Sequence, residues 1–547
     1  MRDIINKHLY PFKFNNKMIT YLLVMMMTGK YLNIRQFLEF YYKKSINFVF
    51  YVDKKKIVNY YLFKLLTATI YKNKLNSKML EIKNKFDEES NNNEKSYKEL
   101  IQNAIVKNYT KSISKNKQLE IFTNLLGSLK DKDLSIQCSD KISGAIYNKP
   151  DQGEMKLVTE CLKSYYKTNP LHSDIYPSLI VMEKQVVNFV KQMFNLDMGV
   201  GGGTLTTGGT ESIILALFGY REYAKNIKNI ANPEIVALQT VHPAFDKGCQ
   251  YLGIKLNKIY IDDHNNINKS MFNSYINYNT IAIVGSAPSF PHGLVDDIEY
   301  MCSIAKKRQI PVHVDACLGG FVMPFIESNH KFDFSIEGVT SVSVDTHKYG
   351  CSPKGSSVLL FRDKDILSHC YFIQSSWGGG IYATTNITGS RSGFNLACTW
   401  SIMNYLGVQT YKNQATKIQS AVNKIKLQFK NDSDIFIFGD PLVCVVAFGS
   451  KTLNIYSVSQ EMKQLGWNLN ELQNPPSFHL CITNRHTPKL IDQFILDLQN
   501  TLSKLVNNDG VNSIIDDQCG SIYGTTQRVP DQSCVDLAAK FFLNSLH

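Results

Sequence analysis

The sequence predicts an α/β protein with a large domain on a mostly parallel sheet and a smaller α/β domain at the C-terminus. Short apolar, β-rich runs at 235–238 (IVAL), 281–284 (IAIV), 311–314 (PVHV), 341–344 (SVSV) and 357–361 (SVLLF) alternate with helical spacing, as in Met182, Val186, Phe189, Val190 and Met193. Such alternation is what a parallel sheet with crossover helices needs. A later group of runs at 435–438, 442–448 and 478–483, with a helical stretch at 458–465, forms the smaller domain. With 547 residues, 44% of them apolar, the chain is long enough for two or three packed domains and an appendage.

The organisation expected is a basic, partly hydrophobic region at 1–84, a linker and helical segment at 85–134, an arm with the large domain at 135–405, and the small domain at 406–547. The net charge of +13 is not spread over the body, because residues 1–84 hold 16 Lys/Arg against 4 Asp/Glu. That location argues against a nucleic-acid surface and toward an anionic membrane surface. Residues 18–29 (MITYLLVMMMTG) are apolar but cover only about half of the roughly 20 residues that a spanning helix needs. Lys43 and Lys44 interrupt the apolar text that resumes afterwards, so a membrane anchor and an amphipathic or buried helix both remain open. The polar run 86–96 (FDEESNNNEKS) reads as a linker. Twelve scattered cysteines without a C-x-x-C pair suggest a reduced compartment, with neither a disulfide framework nor a zinc site.

Three features carry chemistry. Gly201 to Ser212 (GGGTLTTGGTES) precedes a helix-like run, and bare backbone N–H groups at a helix start form an anion site. The loop lacks the Gly-Lys-Ser/Thr of a nucleotide loop and follows no clear strand, so by itself it is consistent with a phosphate cradle or a plain turn. Asp315 ends the strand-like run in HVDACLGG, where a carboxylate serves either as a helix cap or as a ligand group at a strand end. Lys348, beside His347, follows the run ending at Val344; alone it would be a solvated turn lysine. Together they supply what pyridoxal 5′-phosphate needs: an anion cradle around Gly209 and Thr210, a carboxylate for the ring nitrogen, and an amine that bonds the aldehyde. His242, after another strand-like run, could stack on the ring or be structural.

These residues lie in phrases that resemble the sphingosine-1-phosphate lyase family, relatives of the group II amino-acid decarboxylases. The matching phrases are SGAIY (143–147), NPLHSDIYPS (169–178), TTGGTES (206–212), FPHG (290–293), HVDACLGGF (313–321), DTHKYGCSPKGSS (345–357), GGIYATTNITGSR (379–391), GWNLNELQNPPSFH (466–479) and SIYGTTQ (521–527). The resemblance implies fold type I of the pyridoxal-phosphate enzymes and a retro-aldol cleavage of phosphorylated long-chain bases into a fatty aldehyde and phosphoethanolamine. It gives Lys348 as the Schiff-base lysine, Asp315 as the pyridinium partner, His242 as the stacking histidine, and Gly209 and Thr210 as the phosphate loop, with His347 beside the cofactor. Lys354, Tyr147 and His172 match positions associated with substrate phosphate or proton transfer, and Tyr523 matches an active-site tyrosine. It further implies a homodimer with shared sites and, for eukaryotic-type members, an endoplasmic reticulum anchor with the catalytic body in the cytosol. This sequence departs from the family pattern at Trp377–Gly380 and Ser390–Gly393, where Gly378 and Ser392 replace the usual Gln and Pro. The rival readings are an amino-acid decarboxylase using the same cofactor and a noncatalytic membrane-associated relative.

Overall fold

A computed structural model describes residues 115–137, 140–261 and 269–507 and the single position 543. The basic terminal region and Tyr523 lie outside the described residues. Except for position 543, the described residues belong to one of the chain's two compact units, Ser96–Val535.

A seven-stranded sheet organises the large domain: β1 (Gly202–Thr206), β2 (Glu234–Leu238), β3 (Lys255–Ile259), β4 (Thr280–Ser286), β5 (Val312–Asp315), β6 (Val339–Val344) and β7 (Ser357–Phe361), in spatial order β1-β7-β6-β5-β4-β2-β3. The pairs β2/β3, β2/β4, β4/β5 and β5/β6 are parallel, whereas β7 runs antiparallel to both its neighbours. Hence β1, β2, β4, β5 and β6 all point one way, and the segments that follow them emerge at one edge. Strands β4 to β7 are buried almost throughout, as expected of a sheet covered on both faces.

The sequence gives no clear strand before the glycine loop, yet β1 occupies 202–206. Glycine-rich text has low strand propensity, but here close packing demands it. A Cβ on Gly203 would stand 2.5 Å from the Leu359 carbonyl oxygen of β7. Helix boundaries follow local chemistry more openly. Asp151 caps the helix Gln152–Tyr165, accepting from the Glu154 N–H at 2.8 Å, while the Glu154 carboxylate accepts from the Asp151 N–H at 2.9 Å. Pro177 sits at the first position of the helix Pro177–Met193, where a missing N–H costs no bond.

The expected 405/406 boundary falls inside the helix Gly393–Phe429, beside Gly407, whose φ of 63° and ψ of 170° interrupt it. A Cβ there would meet nothing within 4 Å, so backbone conformation, not space, favours glycine. Beyond it, β10 (Phe436–Ile437), β11 (Val445–Gly449), β12 (Asn470–Leu472) and β13 (Ser477–Cys481) make an antiparallel sheet ordered β10-β11-β13-β12. The helices Ile455–Gln464 and Pro488–Asn507 complete the small domain, with Trp467 buried against Phe494. Between the two sheets in sequence lies a hairpin of β8 (Phe372–Gln374) and β9 (Tyr382–Thr384).

Four buried histidines, His292, His313, His479 and His486, have pKa values pulled down to about 4, chiefly by burial. Their unfolded value is near 6.5, so as pH falls below 6.5 the unfolded chain takes up protons that the folded chain refuses. The histidines' share of stability should therefore be complete above pH 6.5 and decline toward pH 4, by up to about 3 kcal/mol each, outweighing the opposite gain from the single buried Asp296, whose carboxyl is pushed up to about 7. Urea unfolding should show the midpoint falling already between pH 6.5 and 5, above the carboxylate range; a flat midpoint there would contradict this account.

Candidate active site

The lysine turn grows directly out of β6. After Val344 the chain bends through Asp345, Thr346, His347 and Lys348, and the bend is closed by Cys351 N–H to Lys348 O at 3.1 Å and Ser352 N–H to Thr346 O at 3.1 Å. Thr346 Oγ1 donates to Ser356 Oγ at 2.6 Å. Tyr349, almost wholly buried, donates its hydroxyl to Ile482 O at 2.6 Å and so ties the turn to the small domain. On this frame Lys348 Nζ stands 2.9 Å from Asp345 Oδ2, with His347 Nε2 at 3.5 Å from the same oxygen.

One strand across, Asp315 is paired in register with Ser343 of β6 and Ser286 of β4. Its Oδ1 accepts from Cys317 N–H at 3.0 Å and from Ser343 Oγ at 3.4 Å. Buried His313, two residues earlier, places Nδ1 at 2.6 Å from Ser341 Oγ and Nε2 at 3.2 Å from Ser343 Oγ, which fixes the strand end from behind. From β1, Thr207 donates both N–H and Oγ1 to Glu211 Oε2 at 2.6 Å, and the helix Gly209–Lys228 begins with its first N–H groups unpaired within the helix. A Cβ on Gly209 would lie 2.8 Å from Asp345 Oδ1 and 2.9 Å from Cys317 Sγ, so only glycine leaves this floor open. After β2, His242 Nδ1 accepts from Ala244 N–H at 3.1 Å, which puts the proton of the neutral ring on Nε2.

These four strand ends enclose a cavity of ≈ 350 Å³. Gly208, Gly209 and Thr210 form one wall, Asp315 and Cys317 another, and His242, Asp345, His347 and Lys348 complete it. The sequence-level candidates Lys348, Asp315, His242, His347, Gly209 and Thr210 are thus brought together. Asp345, Cys317 and Glu211 share the cavity without having been singled out. Asp345 lies three residues before the lysine, in the phrase DTHKYGCSPKGSS.

Charge balance centres on the ion pair. Burial pushes the Asp345 carboxyl up, but the charges of Lys348 and His347 outweigh it and hold the group below the usual aspartate value. Burial likewise pulls Lys348 down, yet Asp345, with Cys317 and Tyr147 behind it, leaves the ammonium above the usual lysine value. Behind Asp315, buried Asp296 is pushed up to about 7, first by burial and then against the hydrogen bond from Ser286 N–H, with the Asp315 charge adding to the rise.

Other candidates stand further out. Tyr147 is buried edge-to-face on Tyr349 at 4.9 Å, and Lys354 Nζ lies 4.7 Å over the Tyr147 ring while donating to His347 O at 3.3 Å. Lys354 is held below the usual lysine value by partial desolvation and then by the charge of Lys348. His172 is not brought to the cavity: it lies exposed in the turn before the helix Pro177–Met193. The loop after β9 is anchored by Arg391, whose guanidinium grips Glu183 at 2.8 and 2.9 Å and donates to Leu205 O at 2.8 Å.

The residues present fit pyridoxal phosphate. A helix start bared by Gly208 and Gly209 suits its phosphate, a buried carboxylate at Asp315 suits its ring nitrogen, and Lys348 supplies the amine. Residues 139–451 match the sequence model of the pyridoxal-dependent decarboxylase conserved domain. The chain is 40% identical over 414 residues to the sphingosine-1-phosphate lyase of Drosophila melanogaster, covering 74% of this chain and 75% of that one. This chain belongs to the sphingosine-1-phosphate lyase family. The sphingosine-1-phosphate lyase of Arabidopsis thaliana is 38% identical over 415 residues, with 74% and 76% covered. Among solved structures, a Burkholderia pseudomallei sphingosine-1-phosphate lyase superposes with a TM-score of 0.69 at 31% identity, over 73% of this chain and 93% of that one. A Lactobacillus brevis glutamate decarboxylase superposes with a TM-score of 0.62 at 20% identity, over 72% and 94%, and shares the fold. As in its family, the cofactor of this lyase is pyridoxal phosphate. Replacing Asp315 with alanine should remove a charge-assisted pair worth about 1.5–3 kcal/mol and weaken cofactor binding roughly 10- to 150-fold; titration of the cofactor-free protein measures this, and unchanged affinity would remove Asp315 from the role.

Proposed function

We propose that the protein cleaves the C2–C3 bond of phosphorylated long-chain bases, releasing a fatty aldehyde and phosphoethanolamine. The observation that carries the reading is the meeting of Lys348, Asp315 and the Gly208–Gly209 helix start in one cavity, in a chain 40% identical to a sphingosine-1-phosphate lyase. Bound pyridoxal phosphate supplies the electron sink for the broken bond. The rest belongs to the chain. The Asp315 carboxylate would keep a proton on the cofactor's ring nitrogen, and the bare N–H groups at Gly209 and Thr210 would hold its phosphate. His242, with its Nδ1 engaged by the backbone, offers a fixed ring face for stacking. Lys354 and Tyr147, already in contact with each other, form a cation and donor pair suited to the substrate's phosphate or to the proton of its C3 hydroxyl. His172 and Tyr523 would join them in this work.

The exposed position of His172 is suited to a site completed by a second subunit. The hairpin β8/β9 carries Phe372, Ile373, Trp377 and Ile381, all more than half exposed, and such a surface favours a homodimer in which the 379–391 loop reaches across. No helix among the described residues is long and apolar enough to cross a membrane. The proposed attachment to the endoplasmic reticulum, with a cytosolic catalytic body, therefore rests on the basic, apolar text of residues 1–84.

Borohydride reduction of the cofactor-loaded protein should place a pyridoxyl group on Lys348, as read by peptide mapping; an adduct elsewhere would refute the assignment. Purified protein should release fatty aldehyde from sphingosine phosphate, whereas carbon dioxide from amino acids without aldehyde would establish the decarboxylase instead. Lys354→Ala should weaken a phosphorylated long-chain base about tenfold or more while sparing the unphosphorylated base, given about 1.5–3 kcal/mol for a charge-assisted contact. Equal losses for both ligands would remove Lys354 from phosphate recognition.

A further inference from the structure

An amine can attack an aldehyde only as the neutral base, yet in this cavity Lys348 is paired as an ammonium. Its partner is not Asp315, which serves the ring nitrogen, but Asp345, three residues earlier across the turn at 2.9 Å. Asp345 is 3% exposed, and its Oδ1 is buried with no hydrogen-bond partner, although Oδ2 faces both Lys348 and His347. The same carboxylate borders the anion cradle, since both its oxygens lie within 2.9 Å of where a Cβ on Gly209 would stand. A carboxylate in that place opposes an incoming phosphate while it holds the lysine charged.

We infer that Asp345 is a positioning residue that locks Lys348 in its unreactive, protonated form until the cofactor enters. Loading then requires the ammonium to give up its proton to solvent: N–H breaks on Lys348 and O–H forms on a hydroxide to give water, because Asp345, which holds the charge, is too weak a base to keep that proton. The other groups around Lys348 do not replace Asp345 in this. His347 is already engaged through Nδ1 by the N–H groups of Gly355 and Ser356, at 3.4 and 3.2 Å. Cys317 and Tyr147 face Lys348 from β5 and from the arm, and Cys444 and Cys481 lie beyond Tyr349 in the small sheet. As thiolates or a phenolate they would only strengthen the hold on the ammonium. Lys354 adds positive charge from outside the turn and works the other way. Asp345 is thus the group whose removal should change the state of Lys348 most.

This rests on Lys348 being the lysine that takes the cofactor, but its test does not depend on activity. The full-length chain, stripped of pyridoxal phosphate, is labelled with trace acetic anhydride between pH 6 and 11, and acetylation of Lys348 is followed by peptide mapping against denatured protein. In the wild type Lys348 should label more slowly than in the denatured chain at every pH up to 10. In Asp345→Asn it should label at least about tenfold faster at pH 8, with the pH profile moved to lower values, since each unit of lowered pKa gives about tenfold more neutral amine. Asp345→Glu should restore slow labelling. Cofactor-free Asp345→Asn should also bind inorganic phosphate more tightly than wild type by isothermal titration. An unchanged Lys348 profile in Asp345→Asn would overturn the lock. If that variant does not fold, a wild-type labelling midpoint at or below that of the denatured chain would overturn it equally. Failure of borohydride to mark Lys348 in the loaded enzyme would instead remove the cofactor assignment and leave the labelling result standing.

Discussion

The parallel ladder from β4 through β6 is the constraint on which the site depends. Its register sets Ser286, Asp315 and Ser343 side by side, so that whatever follows these strands is delivered to the same edge. Nothing in the cavity needs a long excursion of chain. Asp315 is the last residue of β5, Asp345 the first beyond β6, and the glycine loop the first beyond β1. The hydrogen bonds around His313 and Ser343 stiffen this edge with buried polar groups that are satisfied by one another. In a low-dielectric interior such bonds specify one arrangement, because a shifted register would leave the imidazole unpaired.

Electrostatics then divides the carboxylates by task. Asp315 is paired with backbone and hydroxyl donors; Asp345 is paired with an ammonium; Asp296, also buried, is the one whose burial outweighs its donors. Asp345 and Asp296 therefore differ in proton affinity by environment alone.

Much of this was legible in the sequence, and the reasons for the rest are physical. Strands β2, β4, β5, β6 and β7 announced themselves as apolar runs because both their faces are buried. Strand β1 did not, because its glycines are selected by contact with β7, which no local pattern records. Lys348, Asp315 and the glycine loop could be assembled because each has a chemistry that one cofactor unites. Asp345 passed unnoticed because an aspartate before a lysine is ordinary in a turn; only the 2.9 Å contact and the orphaned oxygen distinguish it. His172 had the right phrase but lies exposed, since a sequence match reports a position in the chain, not its place relative to the cavity.

The tie from Tyr349 to Ile482 has a consequence for the order in which the chain becomes competent. It joins residues 133 apart, and Cys481 N–H in turn bonds Ser143 Oγ across a separation of 338. Contacts of such span close late, after the entropy of large loops has been overcome. The turn bearing Lys348 can leave β6 early in folding, but its tyrosine finds a seat only once the small sheet is built on the far side. Until that contact forms, the turn bearing Lys348 lacks the bond that seats Tyr349 against the small domain.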